Sequence, residues 1–335
     1  MASKDPGRLP SSGVFYGLLF LLSLFTQSSR AADSATPFNT SDQNPLFAIY
    51  GVPGTVSGRN LGAGRSELQL SLNLSNTIIR EVNSNESLLV DVESYRLNLV
   101  YGYGLNARWM LRFQLPLIHH GPGFMDDWID NYHNLLGLPE DIRPFYPNDQ
   151  IHLTYDYNGQ RLLDIQERSS GVGDLALQLA YQAYAEPDFY LNYWISLKLD
   201  TGDSTRLTGS GSNDLALWLA LDNRMARDSW LFLNLGMVFM EDSEVLSTRH
   251  QNLSYFASTG MQFHPWQPLQ LKFQLEAHGS AYDTATDFLG SAILLTFGGS
   301  ILLDPQSALD IAIQEDLQTG ASPDVNFNIN WRRQF

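Results

Sequence analysis

The 335-residue chain contains no cysteine. That excludes a disulfide framework and a lipid-modified amino-terminal cysteine, so burial or the sheet itself must hold the fold together. Charge is also scarce. Asp, Glu, Lys and Arg make up 17% of the residues, low against the roughly 25% of soluble domains. Basic residues are the scarcer kind: 20 Lys and Arg face 36 Asp and Glu, for a net charge of -16. Nucleic acid is therefore not an expected partner, because phosphate contacts need a surplus of cations. Long apolar runs are lacking beyond Phe25. The one run, VFYGLLFLLSLF from Val14 to Phe25, would reach about 18 Å as a helix, short of the roughly 30 Å of a bilayer's hydrocarbon core. Lys4 and Arg8 precede it, and SSRAA follows with Ser29 and Ala31 at small-x-small positions. Residues 1–31 thus read as a secretory signal peptide, and the chain is expected to leave the cytoplasm.

What the chain does have is alternation. In DVNFNINWRRQF, Val325, Phe327, Ile329 and Trp331 point one way, and Asn326, Asn328, Asn330, Arg332 and Gln334 the other, the period of a strand with two unlike faces. From Arg65 onward the pattern recurs, at Leu68 to Leu74, Tyr95 to Tyr103, Trp109 to Leu117, Leu175 to Tyr181, Phe189 to Leu199 and Leu215 to Leu221. It continues at Leu231 to Phe239, Leu253 to Phe263, Leu269 to Ala277, Leu289 to Phe297 and Leu309 to Ile313. With the last strand there are twelve. About ten residues is the length a tilted strand needs to cross a bilayer. One row is leucine almost throughout, and the other is Asn, Gln, Ser, Ala and Asp with an occasional Lys198 or Lys272. No charge falls in the middle of the apolar row, where lipid would penalise Arg or Lys by about 2–4 kcal/mol. A soluble sandwich also alternates, but its wet face carries Lys, Glu and Arg freely.

Joins between segments alternate between long (QTGASP, GSAYDTATD, EDSEVLSTRH, DTGDSTRLTGSGS) and short (LDPQS, HPWQP, DNRMARD, AEPD), as in outer-membrane barrels with long outer loops and tight periplasmic turns. Tyr101, Tyr103, Trp109, Tyr181, Phe189, Phe263, Trp266, Trp331 and Phe335 all lie near the short-turn ends, where an interfacial girdle belongs. The expected fold is all-β: a transmembrane antiparallel barrel of about twelve strands over residues 65–335, lodged in the outer membrane of a Gram-negative bacterium after export. Its expected partners are outer-membrane lipid, the barrel assembly machinery, for which Trp331 and Phe335 would form the signal, and a small-molecule cargo. No cofactor or metal centre is called for.

Two parts escape the strand pattern. Residues 32–64 are irregular and would lie in the periplasm or plug the barrel. Residues 119–170 form an insertion far beyond ordinary loop length, hence functional or structured. Within it, PGFMDDWIDNYHNLLGLP places Phe124, Trp128, Ile129, Tyr132, Leu135 and Leu136 on one side of a short helix. After it, IHLTYDYNGQRLLDIQ reads as a hairpin turned by Asn158 and Gly159. Were that hairpin to enter the membrane the barrel would have fourteen strands; its short, mixed strands favour an extracellular position.

Candidate functional residues fall into two groups. On the helix, Asp126, Asp130 and His133 share the polar side and could meet a cation or a substrate group, with Arg143 close by in sequence; the same acids also suit a solvated face near a helix start. In the inward row, Arg96, Arg112, Asp174, Lys198, Asp214, Lys272, Glu276 and Asp310 fit either a salt-bridged filled lumen or the lining of a narrow polar path. Twelve strands leave both open. GVGDLA at 171–176 matches a dinucleotide fingerprint on paper, but a strand rather than a helix follows it. GDS at 202–204 has no histidine spacing to activate Ser204. A membrane-embedded hydrolase using His250, His264 or His278 is the alternative to a channel or transporter gated by the long outer loop; a structural or surface-binding barrel is the third reading.

NPLFAIYGVP at 44–53, LPL at 115–117, GPGFMDDWIDNYHNLLGLPEDIR at 121–143 and GVGDL at 171–175 make the chain resemble a family of proteobacterial outer-membrane proteins classed as a domain of unknown function. The resemblance covers the mature chain and implies a barrel without implying an activity. The LP strand end paired with a later G-x-GD is also similar to transporter barrels near aromatic-degradation pathways. The long insertion departs from that group, so the likeness implies topology and not cargo.

Overall fold

The computed structural model describes residues 34–126, 147–318 and 320–335. Fifteen strands form one antiparallel sheet: β1 (Ser66–Val82), β2 (Glu86–Gly104), β3 (Trp109–Gly121), β4 (His152–Tyr157), β5 (Gln160–Ile165), β6 (Ser169–Val172), β7 (Leu175–Glu186) and β8 (Phe189–Leu199) come first. β9 (Asp214–Ala226), β10 (Ser229–Met240), β11 (Leu253–Trp266), β12 (Leu269–His278), β13 (Ala292–Leu302), β14 (Ser307–Asp316) and β15 (Val325–Gln334) complete it. Twelve of them close a barrel. Neighbours in sequence pair around the ring, β3 meets β7, and β15 returns to β1 with Leu70 opposite Trp331 and Leu72 opposite Ile329. Closure removes the exposed edges that an open sheet of this length would present.

The period-two pattern decides which way each side chain faces. Leu111, Leu177, Ile195, Leu217, Leu235, Phe273, Leu275, Ile311 and Ile329 stand exposed around the outside, while Ser71, Asn73, Gln178, Asn192, Asn234, Gln262, Gln274, Asn328 and Asn330 are buried inside. An apolar belt on the outside of a barrel with a polar interior inverts the soluble arrangement and matches one bathed in lipid. No helix of the described residues is long and apolar enough to cross a membrane.

The hairpin at 152–165 does not enter the wall. β4 pairs with the far end of β2, from Asp91 opposite His152 to Glu86 opposite Tyr157, and β5 pairs only with β4. β1 and β2 run 17 and 19 residues, well beyond the 9–11 that span a bilayer, so they rise past the rim and carry the hairpin there. This is the physical reason for twelve wall strands instead of fourteen. The hairpin turns at Asn158 and Gly159, both with positive φ, the backbone that a two-residue turn requires. One boundary shifts: β13 begins at Ala292, and Leu289 is instead buried among the residues of the preceding loop.

Residues 34–64 lack strand and helix and lie against the inward row. Thr36 bonds Gln262, Phe38 N donates to Gln274, and Asn44 reaches the Phe288 carbonyl in the β12–β13 loop. The segment then turns back. Gly51 N donates to Asp214, Val56 exchanges two bonds with Asn234, Ser57 donates to Asp222 and Asn60 N donates to Gln182. It therefore passes up the inside of the barrel toward the long-loop end and down again before β1.

Candidate functional site

The lumen is divided by height. Toward the long-loop end, Leu46, Phe47, Ile49, Tyr50 and Val56 join a core with Leu88, Val90, Val92, Tyr155, Trp194, Trp218, Phe256, Tyr282 and Phe288. Leu46 is 0% exposed and Phe47 4%. Burying Leu46, Phe47 and Ile49 alone stabilises the seated segment by roughly 5–9 kcal/mol. That is comparable to the whole stability of many domains, so the returning segment is a fixed part of the fold. The local sequence explains its shape: Asn44 accepts Leu46 N with its side chain, and the Asn44 carbonyl takes Phe47 N and Ala48 N, giving a turn that presents consecutive apolar residues to the wall. Burial pushes the Tyr50 phenol up to about 12, and Tyr50 lies in hydrogen-bond contact with Tyr282 at 3.1 Å.

Below and beside this seal the lumen is polar and its charges are grouped. Lys198 Nζ lies 2.7 Å from Asp174 and 3.3 Å from Asp214, and it also donates to Ser210 Oγ and the Ser212 carbonyl. Lys272, wholly buried, meets Asp310 at 3.2 Å beneath the Phe38 ring, and Asp310 takes further bonds from Ser300 and Asn330. Glu276 is held by neutral donors, Thr296 at 3.1 Å and Gln314. Arg96 gives one bond to the Ala48 carbonyl at 2.8 Å. Arg112 is buried on the same wall, opposite Gly102 and Gln178. Buried ions need such partners, since each unpaired charge costs several kcal/mol.

A polar cavity of about 60 Å³ lies between the irregular segment and the wall of β2, β3, β7 and β8. Arg96, Asn98, Gln114, Gln178, Ser196 and Lys198 line the wall side, and Ala48 to Gly54 face them. Above this wall the long insertion is tied down. Glu93 accepts Phe124 N at 2.8 Å and also Met125 N. Gly123, with φ +70°, leaves no room for a side chain because a Cβ there would overlap the Glu93 carboxylate. Asp126 accepts from Asn76 and from Asp149 N, both at 2.8 Å. Of the loop candidates only Asp126 can be placed; Asp130, His133 and Arg143, with the helix expected there, lie outside the described residues.

The eight lumen candidates all sit on barrel strands or, for Asp174, in the step from β6 to β7. The structure brings Asp174, Lys198 and Asp214 into one cluster and Lys272 and Asp310 into another, and leaves Glu276, Arg96 and Arg112 apart from both. Sequence reasoning missed the residues that clasp the irregular segment: Asp222, Asn234, Gln182, Gln262 and Gln274. Their signal was their inward parity, but parity does not say what an inward amide touches. Also missed was Asp42, which joins His278 at 2.9 Å and Ser322 at 2.8 Å. The other His278 nitrogen meets the Gly279 carbonyl, so neither faces a hydroxyl. Ser94 with His120 and Ser170 with His119 approach to 2.7 Å, yet His120 turns its second nitrogen to the Leu207 carbonyl. No carboxylate orients either imidazole among the described residues, unlike a hydrolytic triad. Ser204 opens a short turn capped by Asp203 and donates to Glu244. Trp331 faces outward opposite Leu70 and Leu309, and Phe335 exchanges backbone bonds with Ser66 at the short-turn rim.

Comparison with known proteins agrees with this architecture. The COG4313 outer membrane channel from Pseudomonas putida F1 superposes with a TM-score of 0.56 at 17% identity, over 83% of this chain and 97% of that one. The P. putida toluene transporter TodX gives 0.43 at 12% identity, over 90% and 96% of the two chains, a likeness too slight to carry weight. At 17% identity the first shows a shared fold and nothing about cargo. Among curated proteins none matches. The sequence model of one family, described as a protein of unknown function (DUF3187), matches residues 16–335, and the chain belongs to that family.

Proposed function

We propose that this chain is an outer-membrane channel for small solutes, in which solute passes beside the seated segment 34–64 and the long insertion gates the passage. The observation that carries this reading is the polar cavity between residues 39–54 and the β2–β3–β7–β8 wall. A lumen built only for stability would be closed there by packing, as it is around Lys272 and Asp310. The insertion is anchored through Glu93 and Asp126 to the strands of the same wall, the position from which a loop would control access. The apolar outer belt and the fold shared with an outer-membrane channel support placement in that membrane. Export, lipid contact and delivery by the assembly machinery follow from that placement. The test is conductance in planar bilayers. Wild-type protein should show small, fluctuating currents, and deleting residues 121–143 should enlarge them or change their gating. A silent bilayer with both proteins would sink the reading.

A further inference from the structure

The wall beside the cavity holds one cation, Arg96, without an ion pair among the described residues, and further along the same wall Arg112 faces the Glu67 carboxylate only at longer range, across Gly102. Lys198 and Lys272 each have a carboxylate at 3.3 Å or closer. Arg96 and Arg112 have none within ion-pair distance among the described residues, although Asp174 lies on the same cavity as Arg96. The reason is that Asp174 is already occupied. Its oxygens accept from Lys198, Thr201 N, Gly202 N and Ser210 N, about as many bonds as a carboxylate takes. Asp214 turns Oδ2 to Gly51 N and Lys198 and keeps Oδ1 buried without a hydrogen-bond partner. Arg96 gives a single bond, to Ala48, from a group with five N–H donors.

The neutral lining is suited to the same task. Asn98, Gln114 and Ser196, all side chains that carry a donor, line the cavity, with the Gln114 amide turned toward Asn98 Oδ1, and 60 Å³ holds several water-sized groups. Arg112 lies three inward positions from Ile118, the residue opposite Arg96, or roughly 20 Å along the strand at 3.3 Å per residue. Arg96 and Arg112 thus stand at two backbone heights of one wall, with Gln114 between them on β3. The acids next to the cavity, Asp174 and Asp214, are turned to Lys198, and the rest of the chain's excess acid does not oppose an anion there. Much of it stands in exposed loops, such as Asp200, Asp242 and Asp283, and exposed charge is screened beyond about 8 Å at physiological salt.

We propose that this cavity is a binding site for a small anion, held by the Arg96 guanidinium and by Asn98, Gln114 and Ser196, with Arg112 as the next station along the wall. The solute class is then small molecules carrying a carboxylate or phosphate group. The assignment of a solute class rests on the channel reading; the site itself does not.

Two measurements separate them. Crystals of the full mature chain grown with bromide should show an anomalous peak beside Arg96 that Arg96→Gln removes while Arg96→Lys keeps it. In bilayers under a salt gradient, the wild type should have a reversal potential of anion preference, and Arg96→Gln and Arg112→Gln should each move it toward the cation side. Heat-dependent gel migration verifies that each variant is folded. No bromide on this wall, or bromide retained in Arg96→Gln, overturns the site. Bromide at Arg96 with a reversal potential that neither substitution moves overturns the solute class. Bromide at Arg96 in a protein that passes no current supports the site and removes the channel.

Discussion

The backbone N–H of Gly51 donates to Asp214 Oδ2 at 2.7 Å. This contact joins the irregular segment to the buried ion cluster of Lys198, Asp174 and Asp214. A Cβ at Gly51 would lie 2.9 Å from Asp214 Cβ and 3.3 Å from Lys198 Cβ, so the backbone approaches the wall as closely as it can. Gly51→Val should therefore force the segment away and destabilise the barrel by about 1–3 kcal/mol. The check is the temperature at which the folded gel band is lost, which should fall. An unchanged temperature would mean that the segment is not seated on Asp214.

Lys198 holds two buried carboxylates. Lys198→Met leaves both without their cation and should cost about 3–5 kcal/mol. Adding Asp174→Asn and Asp214→Asn should recover part of that loss, because the uncompensated charge is gone, although the amide at 174 must turn its NH2 toward a backbone N–H that the carboxylate accepted. Urea titration of the three proteins in detergent measures it; a triple variant no better than the single one would show that packing, not charge, governs this site.

Phe47 packs on the His278 ring, with centroids 3.7 Å apart, inside the apolar seal. Phe47→Ala should cost about 3–5 kcal/mol and, in bilayers, raise the frequency of open events by loosening the long-loop end. Currents indistinguishable from wild type would place the solute path away from the seal.

His250, in the loop between β10 and β11, stacks on Tyr50 at 5.3 Å, and burial holds its imidazole below the ordinary range. The folded state therefore prefers the neutral ring. Its contribution to stability is complete above the unfolded value, near 6.5, and is lost as pH falls toward the lower folded value. Thermal unfolding should show a decline on acidification through that window, and His250→Phe should flatten it. An identical decline in the variant would assign the pH dependence to other groups.

Asp126 ties the insertion to Asn76 and Asp149. Replacing Asp126, Asp130 and His133 together should change conductance or gating while leaving heat-dependent migration unchanged, since the wall strands are untouched. Asp126→Ala alone should produce a large part of the change. If all three substitutions leave the currents as they were, these residues have no part in gating.

The sequence by itself determined the wall. Period-two alternation assigns each strand residue to lipid or lumen, because successive side chains on an extended backbone point to opposite faces. Arg96, Lys198 and Lys272 could thus be placed inside, and the aromatic girdle at one rim, from spacing alone. Hairpin chemistry at Asn158 and Gly159 was equally local. What the tertiary structure decided is which inward residues meet, and what fills the space between them. Lys198 reaches Asp174 across β7 and β8, a matter of register between strands, and Arg96 is left unmatched because Asp174 is saturated by a distant loop. Residues 34–64 have no periodicity to read, since their backbone bonds go to side chains of many strands instead of to a regular neighbour. A strand's facing is encoded in its own sequence; the contents of a lumen are set by residues that only closure of the barrel brings together.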